Sequence, residues 1–403
     1  MRKIVLSSLA ALTLGSVAAN ASDLKLYQDA NGQVYTQAGE GRTEVKSSTP
    51  VFSHADKLKF SGLTYLGYVY NDRDKSLSDG SVNPSGDKSA FEIRRGYFQL
   101  KAYLLDDPKS YFRVTYDLTK DAVNDTKVRA KYAYLFLNEV LPSTGMELGL
   151  VHRPWHDYEE HNAWYFRDIS KVLIESKRDG DLSNSADFGI MLKTRTKYFD
   201  ADYGVFNGEG YHGSQLTTDM SFEWRTTAHI LGVSGKDAQN KKTYFDASFF
   251  GQYNKAHKAG AIAGNYDDLI FYGLHTVYNQ PSFLISAQYV DSKDTADNGT
   301  YVSKQAGKGY SFNGEYRLGN EKQYRILGRY DSWTPAANQG SMAVVGAKEY
   351  ERKSYIAGFA WDQNRNVQWV ANVIVTDNDG DMTNTAKTNE NGTQYMLTAQ
   401  IEF

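Results

Sequence analysis

Apolar residues recur at every second position in many separate segments of the chain. In one segment Val367, Trp369, Ala371, Val373 and Val375 fall on a single face. A period of two residues is typical of a half-buried β-strand. A second example is the alternating set Val128, Ala130, Tyr132, Tyr134 and Phe136, with Arg129 and Lys131 on the opposite face. The pattern therefore predicts amphipathic strands.

Sixteen such segments follow one another from Lys57 to the C-terminus. The predicted strands are 57–71, 89–105, 110–119, 126–138, 145–154, 186–197, 200–206, 220–233, 243–254, 267–278, 282–291, 309–318, 322–332, 352–363, 366–376 and 393–403. Because short turns join antiparallel neighbours, the sequence predicts an all-β antiparallel fold of 16 strands, with 14 and 18 as alternatives.

The links between these strands alternate in length. Tight turns are predicted at 106–109, 198–199, 279–281, 319–321 and 364–365. Longer polar links are predicted at 72–88, 155–185, 207–219, 255–266, 292–308, 333–351 and 377–392, with 120–125, 139–144 and 234–242 of intermediate length. All the long links fall at the same end of the strands, as they do in transmembrane barrels. A soluble β-sandwich has no reason to sort its links in this way. Residues 57–403 are therefore predicted to form one closed transmembrane β-barrel.

The last strand extends the same argument to the C-terminus. Tyr395, Leu397, Ala399, Ile401 and Phe403 alternate up to the final residue. An aromatic residue at the carboxylate resembles the signal by which Gram-negative outer-membrane barrels are recognised for insertion. That resemblance implies that Phe403 is an insertion signal read by the barrel assembly machinery. The alternative is an ordinary edge strand that ends on Phe.

The N-terminus has the features of an exported protein. Arg2 and Lys3 precede an apolar stretch that ends in an Ala-x-Ala site at residues 19–21. The stretch is shorter than the roughly 20 apolar residues of a membrane-spanning helix. Residues 1–21 are therefore predicted to be a signal peptide. Residues 22–56 are predicted to be a periplasmic extension of turns and linker, with the lumen as its alternative place.

Composition agrees with a barrel in the outer membrane of a Gram-negative bacterium. The mean hydropathy of −0.57 is polar, yet 14% of residues are aromatic and 30 are Tyr. Tyr suits the boundary between lipid and water. There is no cysteine, so packing and closed hydrogen bonding must hold the fold without disulfides. The formal charge of −3 excludes a generally basic nucleic-acid binder.

Strand number decides the predicted function. Eight strands leave an interior filled by side chains, whereas 16 to 18 leave an aqueous channel. The sequence therefore predicts a diffusion channel for small hydrophilic solutes, without a cofactor. One alternative is a barrel enzyme, a lipase or protease, although no G-x-S-x-G motif accompanies His152, His156, His161, Ser170 and Asp157. The second alternative is a structural or adhesin barrel with a plugged lumen.

The longest predicted link, residues 155–185, is too apolar for a disordered loop. It contains Trp155, Trp164, Tyr165, Phe166, Ile169, Val172, Leu173 and Ile174. A loop after the fifth strand resembles the third loop of general porins, which folds inward and narrows the channel. Its charged residues would then lie at the constriction: Glu159, Glu160, Arg167, Asp168 and Lys171. A surface or subunit-contact loop is the alternative.

Residues opposite the apolar stripes are predicted to face the lumen. The basic ones are Arg113, Arg129, Lys131, Lys193, Arg195, Arg225, Arg325 and Arg329, joined by Arg153, Arg167 and Lys171 at the loop. Rings of Arg or Lys favour anions, and rings of Asp or Glu favour cations. The inward acidic residues are Asp117, Glu147, Asp187, Glu223, Glu315 and Asp331. The excess of basic groups predicts a modest anion preference, with a mixed-charge wall as the alternative.

Two segments resemble the phosphate-selective porin O/P family. Residues 91–100, which include Arg94 and Arg95, look like that family's Arg-Arg strand motif, and residues 149–155 are similar to the pattern that enters its constriction loop. The resemblance covers strands two to six. It implies a 16-stranded homotrimer that passes anions, phosphate among them, with Arg94 and Arg95 lining the pore. The N-terminal extension and the Tyr content also resemble porins of campylobacter-like bacteria.

One cluster of carboxylates has a composition that calcium accepts. Asp377, Asp379 and Asp381 lie close together in a predicted outer loop. They lack the spacing and the terminal Glu of an EF-hand, and a solvated turn is the alternative. No other metal site is predicted.

Overall fold

The computed structural model describes residues 27–29, 33–35, 37–44, 57–73, 87–103, 105–120, 125–177, 179–213, 217–235, 239, 241–259, 266–295, 306–335, 351–379 and 391–403. The predicted signal peptide, residues 1–21, lies outside these ranges.

Residues 22–56 contain a small sheet where the sequence predicted only turn and linker. Its strands are β1 (Tyr27–Asp29), β2 (Val34–Tyr35) and β3 (Arg42–Glu44), in the order β2-β1-β3. Local side chains explain the difference. The Asp29 carboxylate accepts hydrogen bonds from the Gln33 backbone N–H at 3.0 Å and the Tyr35 hydroxyl at 2.9 Å. The Arg42 guanidinium lies 3.5 Å from the centre of the Tyr35 ring.

The remaining strands form a closed antiparallel barrel of 16 strands, as predicted. They are β4 (Leu58–Arg73), β5 (Lys88–Ala102), β6 (Tyr111–Lys120), β7 (Thr126–Leu141), β8 (Thr144–His152), β9 (Ala186–Arg195), β10 (Phe199–Phe206), β11 (Ser221–Leu231), β12 (Tyr244–Ala259), β13 (Tyr266–Gln280), β14 (Phe283–Thr295), β15 (Gly307–Leu318), β16 (Tyr324–Pro335), β17 (Glu351–Asn364), β18 (Val367–Asp379) and β19 (Gly392–Glu402). Each strand pairs with its neighbours in sequence, and β19 pairs with β4 to close the ring. Closure satisfies the backbone groups without leaving an edge.

The barrel encloses polar side chains and exposes apolar ones on its outer surface, which is the reverse of a soluble protein. On β11, Ser221, Glu223, Arg225 and Thr227 are buried inside, while Phe222 is 44% exposed outside. The outer surface of the barrel carries many other exposed apolar side chains, among them Phe91, Val128, Ile190, Leu274, Ile326 and Leu397. An apolar band around a polar interior is the surface that lipid requires. In the part of the chain that the structure describes, no helix is long and apolar enough to cross a membrane.

The barrel has a short rim and a long rim, which confirms the predicted alternation. Links at one rim include 196–198, 281–282 and 365–366. The predicted turn 139–144 is tighter than expected, because β7 continues to Leu141 and Ser143 adopts a positive φ of 57° in the turn. The links between β4 and β5, β8 and β9, β16 and β17, and β18 and β19 all lie at the opposite rim.

Two β-bulges change the predicted orientation of side chains. In β5, Tyr65 pairs with Arg95 and Leu66 pairs with Ile93, so Arg94 is an extra residue. In β7, Thr115 pairs with Tyr132 and Tyr116 pairs with Ala130, so Lys131 is the extra residue. A bulge shifts the alternation by one position.

The predicted common face of Val128, Ala130, Tyr132, Tyr134 and Phe136 is therefore wrong. Val128 is 66% exposed on the outside, whereas Tyr132 and Tyr134 are buried inside. The same shift brings consecutive residues inward. Arg94 donates from Nε to the Asp168 carbonyl at 2.7 Å, while Arg95 lies within 3.5 Å of Asp117.

Phe403 closes the barrel seam next to β4. Its backbone N–H donates to Gly62 O and its carbonyl accepts from Gly62 N–H, each at 3.0 Å. The ring lies over Gly62, where a Cβ would come within 2.3 Å of ring carbons. The side chain nevertheless remains 66% exposed.

Deleting Phe403 is expected to lower the amount of barrel in the outer membrane, while the barrels that insert keep their wild-type conductance. The exposed ring contributes at most a few kcal/mol of burial, so a large loss would reflect recognition during insertion. Yield in outer-membrane fractions measures this effect. Phe403→Tyr, which keeps an aromatic ring, is the matched control and should insert normally. Unchanged yield of the deletion would contradict the insertion role.

Candidate functional site: a constriction in the lumen

Residues 153–185, here called the constriction loop, fold into the barrel after the fifth barrel strand, as predicted. The loop begins with helix α1 (Pro154–Asn162). Its residues contact strands from distant parts of the barrel. Arg94 of β5 and Arg329 of β16 donate to the carbonyls of Asp168 (2.7 Å) and Lys171 (3.0 Å). The alternative of a surface loop is therefore excluded.

An apolar surface attaches this loop to one side of the lumen. Trp155 stacks on Phe250 of β12, with ring centroids 3.7 Å apart and planes at 6°. Further along, Trp164, Phe166, Ile169, Val172, Leu173 and Ile174 belong to one buried cluster with inward residues of β13–β19, including Leu269, Val290, Leu327, Trp333, Ile356 and Met396. This half of the lumen is filled, and the cavities beside the wall of β4–β8 lie on the other half.

A buried ion-pair group fixes the start of the loop. Arg153, extended at φ −87° and ψ 146°, precedes Pro154 at the first helical position, a position that Pro favours. Its guanidinium lies 3.0 Å from Asp187 and 2.9 Å from Glu223. Asp187 also accepts the Gly208 N–H at 2.7 Å, which ties in the link after β10. The entry of the loop is thus connected to three segments of the barrel.

Two cavities lie on the open half, between the loop and the wall of β4–β8. One, of about 390 Å³, is lined by Tyr97, Arg113, Lys131, Tyr132, Glu160 and Arg167 among others. The other, of about 510 Å³, is lined by Arg94, Arg95, Arg167, Asp168 and Lys171 among others. Arg167 and Tyr65 border both cavities, so they stand between them. This polar opening is the candidate site.

Most of the thirteen basic residues singled out from the sequence are ion-paired inside the barrel. The pairs are Arg94–Glu92, Arg95–Asp117, Arg129–Asp117, Arg153–Asp187, Arg167–Glu160, Lys171–Glu175, Lys193–Glu147, Arg195–Asp202, Arg225–Asp202, Arg325–Asp362 and Arg329–Asp331. Among the described residues, only Arg113 and Lys131 of this set form no ion pair with a carboxylate. Cross-strand register, which the sequence does not show, creates most of these pairs.

The thirteen residues do not share one location. Arg153 and Arg329 are 2% and 4% exposed and lie between the constriction loop and the wall. Lys193, Arg195 and Arg225 line a further cavity of about 350 Å³ with Arg113, and Arg325 lines another of about 570 Å³ near the short rim. The inward acidic residues Asp117, Glu147, Asp187, Glu223, Glu315 and Asp331 are all buried. The wall is therefore of mixed charge.

Sequence reasoning missed the tyrosines of the opening. Lys131 donates from Nζ to the Tyr97 hydroxyl oxygen at 3.0 Å, and Arg95 donates to the same oxygen at 3.0 Å. Tyr132 stacks on His152 at 3.9 Å between centroids. Tyr97 lies two residues after Arg95, so both side chains face the lumen. This spacing would have predicted the contact between them only if the bulge at Arg94 had been recognised.

Burial raises the pKa of two carboxyl groups of the constriction loop. Burial raises the pKa of Glu159 to about 7, against lowering by Arg329 and by hydrogen bonds from Gln288 and Trp155. Burial also raises the pKa of Asp168 to about 6, although the Thr398 hydroxyl bonds to it. Both groups anchor the loop to the filled half of the lumen.

The anchored loop is expected to loosen as pH rises, because its Glu159 binds a proton more tightly than the released loop would. The pKa of Glu159 is raised from 4.5 to about 7. Anchoring therefore loses stability between these values, by roughly 3 kcal/mol in total. His156 acts oppositely, since burial lowers its pKa to about 3 and anchoring weakens below pH 6.5. Open-channel noise recorded from pH 5 to 8 measures the net effect.

The isosteric variant Glu159→Gln isolates the carboxylate. Trp155 Nε1 donates to Glu159 Oε2 at 2.6 Å, and a Gln carbonyl can still accept this bond. The rise in noise between pH 5 and 8 should be weaker than in wild type. An identical pH profile would show that Glu159 does not control the loop.

The residues considered for an enzyme or a metal site are placed as follows. Ser170 donates to the Lys171 carbonyl, and His156 Nε2 lies 2.7 Å from Ser183 Oγ instead. Within the described ranges, no three His, Asp or Glu side chains are grouped so as to hold a metal ion. Of the weak calcium candidates, Asp377 and Asp379 are in β18, and Asp381 lies outside the described residues.

Comparison with solved structures finds the same fold in outer-membrane proteins. An anion-selective porin from Comamonas acidovorans matches at 12% identity and a TM-score of 0.60, over 86% of this chain and 99% of that one. A loop-deletion mutant of OmpT, an outer membrane protein of Vibrio cholerae, matches at 12% identity and 0.57, over 86% and 99%. A mutant of Rhodopseudomonas blastica porin matches at 12% and 0.50, over 86% and 100%. No family model and no curated protein sequence matches this chain.

Proposed function

We propose that the protein is an outer-membrane porin of a Gram-negative bacterium, a water-filled diffusion channel for small hydrophilic solutes. The observation that carries the proposal is the reversed polarity of a closed 16-stranded barrel whose inward loop fills only half of the lumen. The other half keeps polar cavities between the loop and the wall. A barrel that served only as a scaffold would have no reason to keep this polar half open.

The channel is proposed to have a modest preference for anions. Eleven of the thirteen basic residues are neutralised by carboxylates, so the count of positive charges overstates the field. Arg113 and Lys131 have no such partner within the described part of the chain, and they border the opening. Positive groups beside a narrow lumen raise the local anion concentration, and salt screens the effect.

Membership of the phosphate-selective porin O/P family and a preference for phosphate belong to the same proposal. Support for them comes from the Arg94–Arg95 motif, both of whose side chains point into the lumen. The anion-selective porin among the structural neighbours has the same fold at low identity. The proposed partners are outer-membrane lipid, the barrel assembly machinery, and small solutes or anions.

The experiment that tests this function uses purified wild-type protein in lipid vesicles. Vesicles that contain the protein should swell in iso-osmotic solutions of small sugars and amino acids, and more slowly as solute size increases. Reversal potentials in asymmetric potassium chloride should indicate anion preference that declines between 0.1 M and 1 M salt. Absence of swelling, together with lipid hydrolysis, would favour the enzyme alternative.

The barrel is also proposed to form a homotrimer. The support is the family resemblance and the exposed apolar side chains of its outer face, such as Phe91 at 86% and Ile93 at 51%. Mass measurement after mild detergent extraction is expected to find three chains per particle. A stable monomer at micromolar concentration would contradict this assembly.

A further inference from the structure

The 390 Å³ cavity contains more hydrogen-bond donors than acceptors on its barrel-wall side. Arg113 donates hydrogen bonds from Nε to Thr115 Oγ1 at 3.0 Å and from Nη1 to Tyr134 Oη at 3.1 Å. Its Nη2 has no acceptor among the described residues. The guanidinium and Lys131 lie 4.8 and 5.4 Å from the centre of the same Tyr132 ring.

Lys131 is an unusual buried ammonium group. The residue is 4% exposed, and its Nζ donates to a single acceptor within the described ranges, Tyr97 Oη at 3.0 Å. A buried charge normally has an opposite charge as partner. A Lys side chain carries three N–H donors, so two remain available on the cavity side.

Tyr97 adds a further donor. Its hydroxyl oxygen accepts from both Lys131 and Arg95, each at 3.0 Å. With both lone pairs occupied by cationic donors, the hydroxyl hydrogen is directed away from them, and no described residue accepts it. The Tyr132 hydroxyl likewise has no acceptor among the described residues. Arg113, Lys131, Tyr97 and Tyr132 thus present four donor groups to one space.

The opposite side of this cavity carries charges of both signs. Asp157 and Glu160 of the constriction loop line it, with His156, His161 and Arg167. Asp157 is engaged by Lys193 at 3.3 Å and Glu160 by Arg167 at 2.6 Å. The charges of the loop side are therefore largely balanced, and the positive charge that is free to attract an anion lies with Arg113 and Lys131 on the wall side.

We propose that Arg113, Lys131, Tyr97 and Tyr132 form a binding station for a small organic monocarboxylate with a flat body. The proposal rests on the proposed porin function and names a second solute class at a separate cavity, because the proposed phosphate preference depends on Arg94 and Arg95, which line the 510 Å³ cavity. The carboxylate accepts from Lys131, Arg113 and the tyrosine hydroxyls, and the flat body lies beside the edges of the Tyr132 and Tyr65 rings, which line the cavity. The cavity volume is within the range of small-molecule sites.

Isothermal titration of the purified, folded barrel in detergent tests the station without requiring conduction. Benzoate is the probe, with acetate and inorganic phosphate as comparisons at equal ionic strength. Benzoate is expected to bind at least tenfold more tightly than acetate or phosphate, because only benzoate has a ring. Equal binding of phosphate or acetate would overturn the proposed solute class.

The variant Arg113→Gln/Lys131→Gln is expected to weaken benzoate binding at least tenfold. Arg325→Gln, which removes a basic residue that lines a different cavity, is the matched control and should bind as wild type does. If the double variant does not fold, Arg113→Gln alone is expected to lose at least fivefold. Unchanged affinity in the folded variants would overturn the station.

The two proposals fail separately. If the vesicles swell but benzoate does not bind, the porin function is supported and the binding station is overturned. Benzoate binding to a barrel that does not conduct would support the station as a binding site and overturn its role in a channel.

Discussion

Replacing Asp117 by Asn should make the channel markedly more selective for anions. The Asp117 carboxylate is 1% exposed and lies 3.1 Å from Arg129 and 3.5 Å from Arg95. It therefore neutralises two guanidinium groups on the wall that faces the constriction loop. The neutral, isosteric amide frees both positive charges in a narrow lumen with low-dielectric walls, where fields act strongly.

The expected change is large enough to measure at low salt. The ratio of chloride to potassium permeability should rise about three- to tenfold at 0.1 M salt, equivalent to roughly 0.7–1.4 kcal/mol. The increase should largely disappear at 1 M salt, where screening is strong. Reversal potentials in asymmetric potassium chloride provide the measurement.

Asp291→Asn is the control for this prediction. Asp291 also forms an ion pair, with Lys308 at 3.7 Å, but it lines none of the cavities described above. Its selectivity should equal that of wild type. A wild-type ratio in the Asp117 variant would mean that Arg95 and Arg129 do not act on permeating ions.

Replacing Trp155 by Ala is expected to release the constriction loop from the filled half of the lumen. The substitution removes the stack on Phe250, with centroids 3.7 Å apart, and the hydrogen bond to Glu159 at 2.6 Å. Truncation of a buried Trp costs about 3–5 kcal/mol. Because the sixteen strands retain their hydrogen bonds, this loss falls on the loop.

The readouts are conductance and proteolysis. Single-channel current should become larger and noisier, and a protease should cut within residues 153–185 while the barrel remains folded. Trp369→Ala is the matched control, since Trp369 is 38% exposed on the outer surface and bonds to Gln363. A quiet current of wild-type size in Trp155→Ala would contradict the anchoring of the loop through this residue.

The sequence predicted the barrel well because its strands obey a simple period. Alternation along the strands and the sorting of long and short links predicted 16 strands and closure, and the resemblance to the third loop of general porins predicted the inward loop after the fifth. These properties depend on local pattern and link length. They do not depend on which side chains meet across the lumen.

The details of the site depend on register, which one chain does not reveal. A single extra residue, Arg94 in β5 or Lys131 in β7, reverses the facing of the rest of a strand. Alternation alone placed Tyr132 on the lipid side, although it is buried beside Arg113. Bulges of this kind leave no mark in the hydrophobic period.

The sequence contained one signal for the filled half of the lumen. Phe250 shares the inward phase of β12 with Asp246, Ser248 and Gln252, so a large aromatic residue stands among polar ones. That exception was a signal that something apolar covers it. Which residue does so, Trp155, follows only from the folded loop.

The central claim is that a polar path remains open between the constriction loop and the wall of β4–β8. Recording purified wild-type protein in planar lipid bilayers tests this claim most directly. The open path should give discrete, stepwise increases in current in potassium chloride, with long-lived open levels of one main size. A folded barrel that inserts into the bilayer and passes no current would show that the loop closes the lumen, and would contradict the proposed channel.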